Sequence, residues 1–525
     1  MNRVGISEEK QQSDGYSRFF AAGSVIFFVA LGQVVNIIQE MLIAAYFGTT
    51  WITDAYKMSM AVPTLFSTES IGIINAVVIP ILYTGKTFEE QRRIFSALLV
   101  FFIVVSITLW LVILLCASPL IALIAHGFSS EGQLLAVSLL TVTSSLVVLT
   151  ILSTFAGNIL NSRNEFGLPA LQKVFMFAMI IPALYFGVSR FGIAAAAWGA
   201  VIGMIVFTMI VFWRLSRHHF TLVKGNFWKD PAIVQCIVLA TPLIIYSLFN
   251  QVNVLFEKKI AADFPAGTLS ALDYALKSSV FFINFLGVGI TTVIFPTLSE
   301  KNVEGDTQSL RNYAERLLSF IILLVTPFIL FLLIFRTEFI QVLFERGAFT
   351  PDATAATSTM LGYYALGLLG HAVVMTFPRF FQATRNNTII MRVGIAMVGV
   401  NIVGLIVFPY LFGPVGIPIS FIVTYMLHAC ILLFRLHGII KLRWNAVGLQ
   451  ALRIVFPCIL FAVFLLGVHS IAPFCSITLW GARFGILAGT CLLSGILYLV
   501  LAAMMKVIVA EEIIRRGIAA IRRLI

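Results

Sequence analysis

The chain has 525 residues, 60% of them hydrophobic and only 11% charged, with a mean hydropathy of +1.01. Soluble domains carry about 25% charged residues, so this composition excludes an ordinary soluble fold and predicts an all-α polytopic membrane protein. The net charge of +12 does not point to a nucleic-acid partner, because the basic residues fall in short loops where they set membrane orientation.

Residues 1–18 read as a polar cytoplasmic segment without the features of a signal peptide. About fourteen membrane-spanning helices follow, near 19–46, 54–83, 94–116, 133–160, 168–186, 192–213, 232–261, 267–297, 316–335, 354–384, 388–411, 416–435, 450–469 and 485–507. Loops and tails on the side of the termini hold 26 of the 35 Lys and Arg, and the opposite loops hold six. That asymmetry predicts both termini in the cytoplasm. Six scattered cysteines lack CxxC or CxxH spacing, so neither a disulfide framework nor a metal site is expected.

The chain carries a copy of part of itself. Gln33, Asn36, Glu40, Ala44, Ala45 and Phe47 recur 217 positions later as Asn250, Asn253, Glu257, Ala261, Ala262 and Phe264. Gly48-Thr49 returns at a similar offset as Gly267-Thr268. The repeat divides the spans into two six-helix lobes, 19–230 and 231–445. Two further spans (446–507) and a basic amphipathic tail (508–525) on anionic lipid follow. Two equally oriented halves with polar stripes predict a transporter.

Charges within spans are the candidate site. Glu40, Glu257, Glu69, Asp273, Lys277 and Arg379 lie inside predicted spans, and Asp54 and Lys57 near the start of the second. A mid-membrane Lys, Arg or Asp costs about 2.5–3.5 kcal/mol, so these groups are expected to be paired or to line a wet cavity. Gln33, Asn36, Gln39, Asn250 and Asn253 read as cavity lining or as interhelical hydrogen-bonding residues. Glu40 and Glu257 either face a common space, where they bind a coupling ion, or sit at the outer interface beside Lys258 and Lys259. Lys277 follows Asp273 by four residues, a spacing that allows a self-neutralising pair or an ammonium that an anionic substrate releases. Lys57, three residues after Asp54, reads as the same arrangement in the second span. Arg379 follows Pro378, where a helix can break, and pairs with Glu69 or binds phosphate. His371 in the tenth span reads as an interhelical histidine or a proton relay. No enzymatic or nucleotide-binding motif appears, so no catalytic residue and no cofactor is expected. Na+, H+ or the membrane potential would then supply any driving force.

Several motifs resemble the MurJ/MviN lipid-linked murein precursor flippases of the MOP exporter superfamily. They are Phe47-Gly48 with Thr53-Asp54-Ala55-Tyr56 and Pro63; Ile159-Leu160-Asn161 with Asn164 and Phe166; Tyr274-Ala275 with Lys277; Pro296-Thr297-Leu298-Ser299; and Leu343-Phe344-Glu345-Arg346-Gly347-Ala348-Phe349-Thr350. The resemblance implies alternating access in a bacterial inner membrane and movement of undecaprenyl-pyrophosphate-linked sugars from the inner to the outer leaflet. Lys277, Lys57 and Arg379 would attract the diphosphate, and Asp54 and Asp273 would tune the charge. The implied partners are the lipid-linked glycan, membrane lipids and proteins of cell-wall synthesis. The chain also departs from the family. Its first-helix arginines fall on Gln33 and Gln39, an arginine-rich patch is Ser67–Gly72, and an eighth-helix arginine is Lys277. The cargo implied is lipid II or another lipid-linked exopolysaccharide or O-antigen unit. A MATE-like multidrug exporter and a non-transporting scaffold for envelope synthesis are the rival readings.

Overall fold

A computed structural model describes residues 2–223, 227, 230–281, 283–284, 306–384, 386–471, 480–512 and 514–515. Every regular element among them is helical. In chain order these are α1 (Asn2–Phe47), α2 (Trp51–Leu82), α3 (Phe88–Leu115), α4 (Ala117–Ile124), α5 (Ser130–Thr143), α6 (Ser145–Ser162), α7 (Gly167–Ala170), α8 (Gln172–Ala178), α9 (Ile180–Phe191), α10 (Ala194–Arg217) and α11 (Pro231–Ala262). Helix α12 (268–281) comes next. It is followed by α13 (Thr307–Ile334), α14 (Arg336–Phe344), α15 (Pro351–Thr376), α16 (Pro378–Ala383), α17 (Asn387–Phe412), α18 (Gly416–Ile440), α19 (Trp444–Ile471) and α20 (Trp480–Met504).

Eleven stretches among the described residues are long and apolar enough to cross a membrane, and one of them, Asn387–Ile440, reverses at Gly413 (φ +66°) to give two crossings. With α11, apolar over Pro231–Ile245, every expected span has a helical counterpart except 267–297, which runs beyond the described residues. Most of the tail 508–525 also lies outside them. The helix starts follow from local chemistry. Thr87 and Glu90 form a reciprocal capping box at α3. Asp230 and Thr350 cap α11 and α15, each followed by a proline at the first helical position.

The chain forms two compact units, Met1–Ser270 and Ala271–Ile525. The repeat boundary at 230 marks sequence correspondence, whereas the packing boundary falls later because α11 packs on α2, α3 and α4. In the first unit α2 packs on α5 and α6, while α10 packs on α6, α8 and α9. The core there joins Ile43, Tyr56, Leu146, Ile180, Leu184 and Met204 to the alanines of α10. Gly203 permits the close approach, because a Cβ there would lie 2.3 Å from the Phe175 carbonyl oxygen.

In the second unit α18 packs between α15 and α17, and α13 between α15 and α19. Asn401 Oδ1 accepts the hydroxyls of Ser420 (2.7 Å) and Thr424 (3.0 Å), fastening α17 to α18. The motif Leu343–Thr350 is the turn between α14 and α15. Arg346 donates to the carbonyls of Val342 (3.1 Å) and Leu343, and Gly347 takes φ +57°. Thr350 then starts α15, and Glu345 accepts the Thr354 hydroxyl at 2.7 Å. Buried Tyr274 of α12 packs its ring 4.9 Å from Phe344 and 5.9 Å from Phe349. The residue types of this signature therefore serve the turn and its packing.

Candidate functional site

In the first unit the polar residues gather where α1 turns into α2. Gly48 (φ +61°) ends α1, and the Thr53 hydroxyl donates to its carbonyl at 2.9 Å. Asp54 is 2% exposed. Its carboxylate accepts the backbone N–H groups of Gly267 (2.6 Å) and Ser270 (2.8 Å), and also the Ser270 hydroxyl. It thus caps the start of α12, where a helix presents unpaired N–H groups and partial positive charge. Lys57 forms an ion pair with Glu40 of α1, both side chains being 4% exposed.

Glu40 is paired and buried, one of the two arrangements expected of charges within spans. This geometry corrects one expectation: Asp54 and Lys57 do not repeat the arrangement of Asp273 and Lys277. The cause lies in helical phase. Asp54 and Asp273 are 219 positions apart (273 minus 54), but Lys57 and Lys277 are 220 apart (277 minus 57). One residue turns a side chain by about 100°, so Lys57 points across to α1. Asp54→Ala is expected to lower the thermal unfolding temperature through loss of the cap, worth about 1–2 kcal/mol, with Asp54→Asn intermediate. An alanine variant melting like the parent would remove the capping role.

The remaining α1 amides lie beside this pair. Gln39, 3% exposed, donates to Asn36 Oδ1 at 3.1 Å, and its own buried Oε1 has no partner among the described residues. Gln33 and Asn36 are half-buried, as are Asn253 and Glu257 on α11. The side chains of Asn250 and Glu69 lie outside the described residues.

In the second unit Lys277 Nζ lies 2.8 Å from Asp273, with side-chain exposures of 38% and 12%. The i, i+4 pair forms as the spacing predicts, and its ammonium is far more accessible than that of Lys57. Arg379 sits on α16 just after the break at Phe377–Pro378 and donates to Gln382 at 2.7 Å. His371 of α15 stacks on Phe421 and meets Tyr425 edge-on, with both ring nitrogens buried and without a hydrogen-bond partner among the described residues. This is an interhelical packing role.

Sequence reasoning missed three features. Lys173, counted above with the loops, lies in α8 inside the Gly167–Phe191 span, where its Cβ abuts Gly32 of α1. Its side chain is exposed. Arg392 likewise lies in α17 rather than a loop. The span boundaries alone could have revealed both. The second feature is a polar cavity lined by Asn75 of α2 and by Asn158 and Asn161 of α6; the i, i+3 spacing on α6 was the one signal available.

The third is a loop cluster at the end of α6 and α10. Arg214 donates to Glu165 at 2.5 and 2.8 Å, and His218 lies 2.8 Å from the same carboxylate. The Arg214 hydrogen bonds hold the Glu165 carboxyl below its ordinary range. A lowered folded value means the group's stabilisation is full above the unfolded value, about 4.3, and fades as pH falls through the folded one. Glu165→Gln should therefore cost a modest amount at neutral pH, about 0.2–1 kcal/mol, and flatten the loss of melting temperature between pH 5 and 3. An unchanged acid limb would remove Glu165 from the account.

Helices that cross a membrane at least a dozen times, two related halves and ionic groups held inside spans define a polytopic membrane transporter class. The chain belongs to the lipid II flippase MurJ family, whose model matches residues 43–481. A probable lipid II flippase MurJ of Buchnera aphidicola (subsp. Acyrthosiphon pisum) is 27% identical over 380 residues, 70% of this chain and 74% of that relative. The fold is similar to that of a lipid II flippase MurJ solved in an inward closed conformation, with TM-score 0.76, 21% identity, and 95% and 99% of the two chains covered. It is less similar to an inward-facing multidrug resistance MATE family transporter of the MOP superfamily, with TM-score 0.59, 15% identity, and 80% and 94% covered.

Proposed function

We propose that this protein is a lipid II flippase of the bacterial inner membrane. It moves the undecaprenyl-pyrophosphate-linked precursor from the cytoplasmic to the periplasmic leaflet by alternating access. The observation that carries this reading is the family match across 43–481. The ionic residues inside the spans give it a chemical basis. Lys277 is the principal cation for the diphosphate, because it is the exposed member of its ion pair. Lys57 is held by Glu40, and releasing it requires a competing charge or a cation, which makes Glu40 the place where coupling to Na+, H+ or membrane potential would act. Asp54 and Asp273 set the local charge, while Arg379 and Lys173 are further cations within spans. Both termini are cytoplasmic, following the basic loops. The protein does no covalent chemistry, and its working partners are the lipid-linked glycan and the bilayer.

The test is reconstitution. The purified chain in proteoliposomes should carry fluorescent lipid II across the bilayer, and its expression should rescue a strain depleted of its own flippase. Transport of cationic drugs without lipid II would establish the MATE-like alternative, and movement of neither would establish the scaffold reading.

A further inference from the structure

The motif residues Ile159-Leu160-Asn161, Asn164 and Phe166 enter none of the ion pairs above, yet Asn161 and Phe166 line a cavity of about 350 Å³ within the first unit. Asn75 of α2, Asn158 of α6 and Gln172 of α8 converge on the same space. That volume is at the lower end of small-molecule sites, roughly 300–1,000 Å³. No lining residue is charged, which disfavours a phosphate or a divalent cation, both of which need charged or many-oxygen ligands.

The amides are organised but not saturated. Asn158, 2% exposed, donates to Asn75 Oδ1 at 2.6 Å and to the Thr154 carbonyl at 2.9 Å. Gln172 donates to the hydroxyls of Ser153 (2.9 Å) and Thr154 (3.4 Å). These bonds commit the donors of Asn158 and use one end of Gln172, leaving both carbonyl oxygens to accept. Asn161 makes no side-chain hydrogen bond among the described residues and offers both donors and an acceptor. Asn75 is exposed and forms the mouth. Fixed amides with mixed donors and acceptors match adjacent hydroxyl or acetamido groups, and the Phe166 ring and Pro169 supply an apolar face for ring C–H groups.

We infer that this cavity binds a neutral sugar ring, and that it is the subsite through which the protein recognises the glycan of its lipid-linked substrate. The inference rests on the proposed function and deepens it by naming residues that read the sugar rather than the diphosphate. It also gives the Asn161–Phe166 motif a chemical reason.

The experiment uses the full chain in detergent with methyl N-acetyl-β-glucosaminide as the probe, followed by saturation-transfer NMR. Saturable transfer to the ring protons is expected, falling at least tenfold in Asn161→Leu. Asn75→Leu at the exposed mouth should weaken it similarly; Asn161→Leu should melt like the parent, whereas Asn75→Leu also removes the acceptor of buried Asn158 and should melt somewhat lower. No saturable transfer in the parent chain, or equal transfer in both variants, overturns the inference. In proteoliposomes the same variants should raise KM for lipid II and leave undecaprenyl pyrophosphate unchanged; an equal loss on both lipids also overturns it. A parent chain that binds the sugar but translocates no lipid would instead defeat the proposed function and leave the subsite standing.

Discussion

Lys277→Ala is expected to lower lipid II translocation by about 10- to 100-fold, and complementation with it, while the amount of protein in the membrane stays unchanged. The two halves of that expectation have separate causes. A hydrogen bond from an ammonium to a charged group is worth about 1.5–3 kcal/mol, and each 1.36 kcal/mol is tenfold in rate. The ion pair with Asp273 stabilises the fold far less, because the ammonium is 38% exposed and such pairs contribute about 0–1 kcal/mol. Lys277→Arg should retain transport, since a guanidinium grips phosphate through two parallel bonds. Asp273→Asn should tighten binding of undecaprenyl pyrophosphate by removing the carboxylate charge 2.8 Å from the ammonium. Full rescue of a flippase-depleted strain by Lys277→Ala would remove this residue from the substrate path.

The comparison of Lys277 with Lys57 shows how much of the site can be read from sequence. Helical spacing fixes what a residue shares a face with, so the pair Asp273–Lys277 was legible. It cannot fix what stands opposite, and the partner of Lys57 turned out to be Glu40, 17 positions earlier on another helix. Asp54 is a stronger case, since its partners Gly267 and Ser270 lie more than 200 positions away. The spans were legible because bilayer thickness dictates helix length, and the repeat because polar residues stand out in apolar helices. The chamber around Asn158 was not, because one amide on α2, two on α6 and one on α8 meet only in the folded packing. Lys173 was misplaced for a simpler reason, a polar residue near a span's end reading as loop.

Breaking the Glu40–Lys57 pair on one side should destabilise the protein more than any other single change described above. Both side chains are 4% exposed, so Glu40→Leu or Lys57→Met alone removes one half of a buried ion pair, at a cost of about 3–5 kcal/mol. The double variant removes both charges and fills nearly the same space, and such replacements are often neutral or stabilising by about 1–4 kcal/mol. Thermal unfolding of the four proteins forms a cycle that isolates the interaction. Strong loss in each single variant and recovery in the double is expected. Transport separates the two remaining roles. If the pair only holds α1 to α2, the recovered double variant flips lipid II at the parental rate. If its charges are exchanged during the cycle, the double variant stays folded and silent, and the position of Glu40 in the proposed coupling requires that second outcome. Single variants as stable as the parent would show that the pair is solvated, and with it the argument that buried charge at this junction is held for transport would fall.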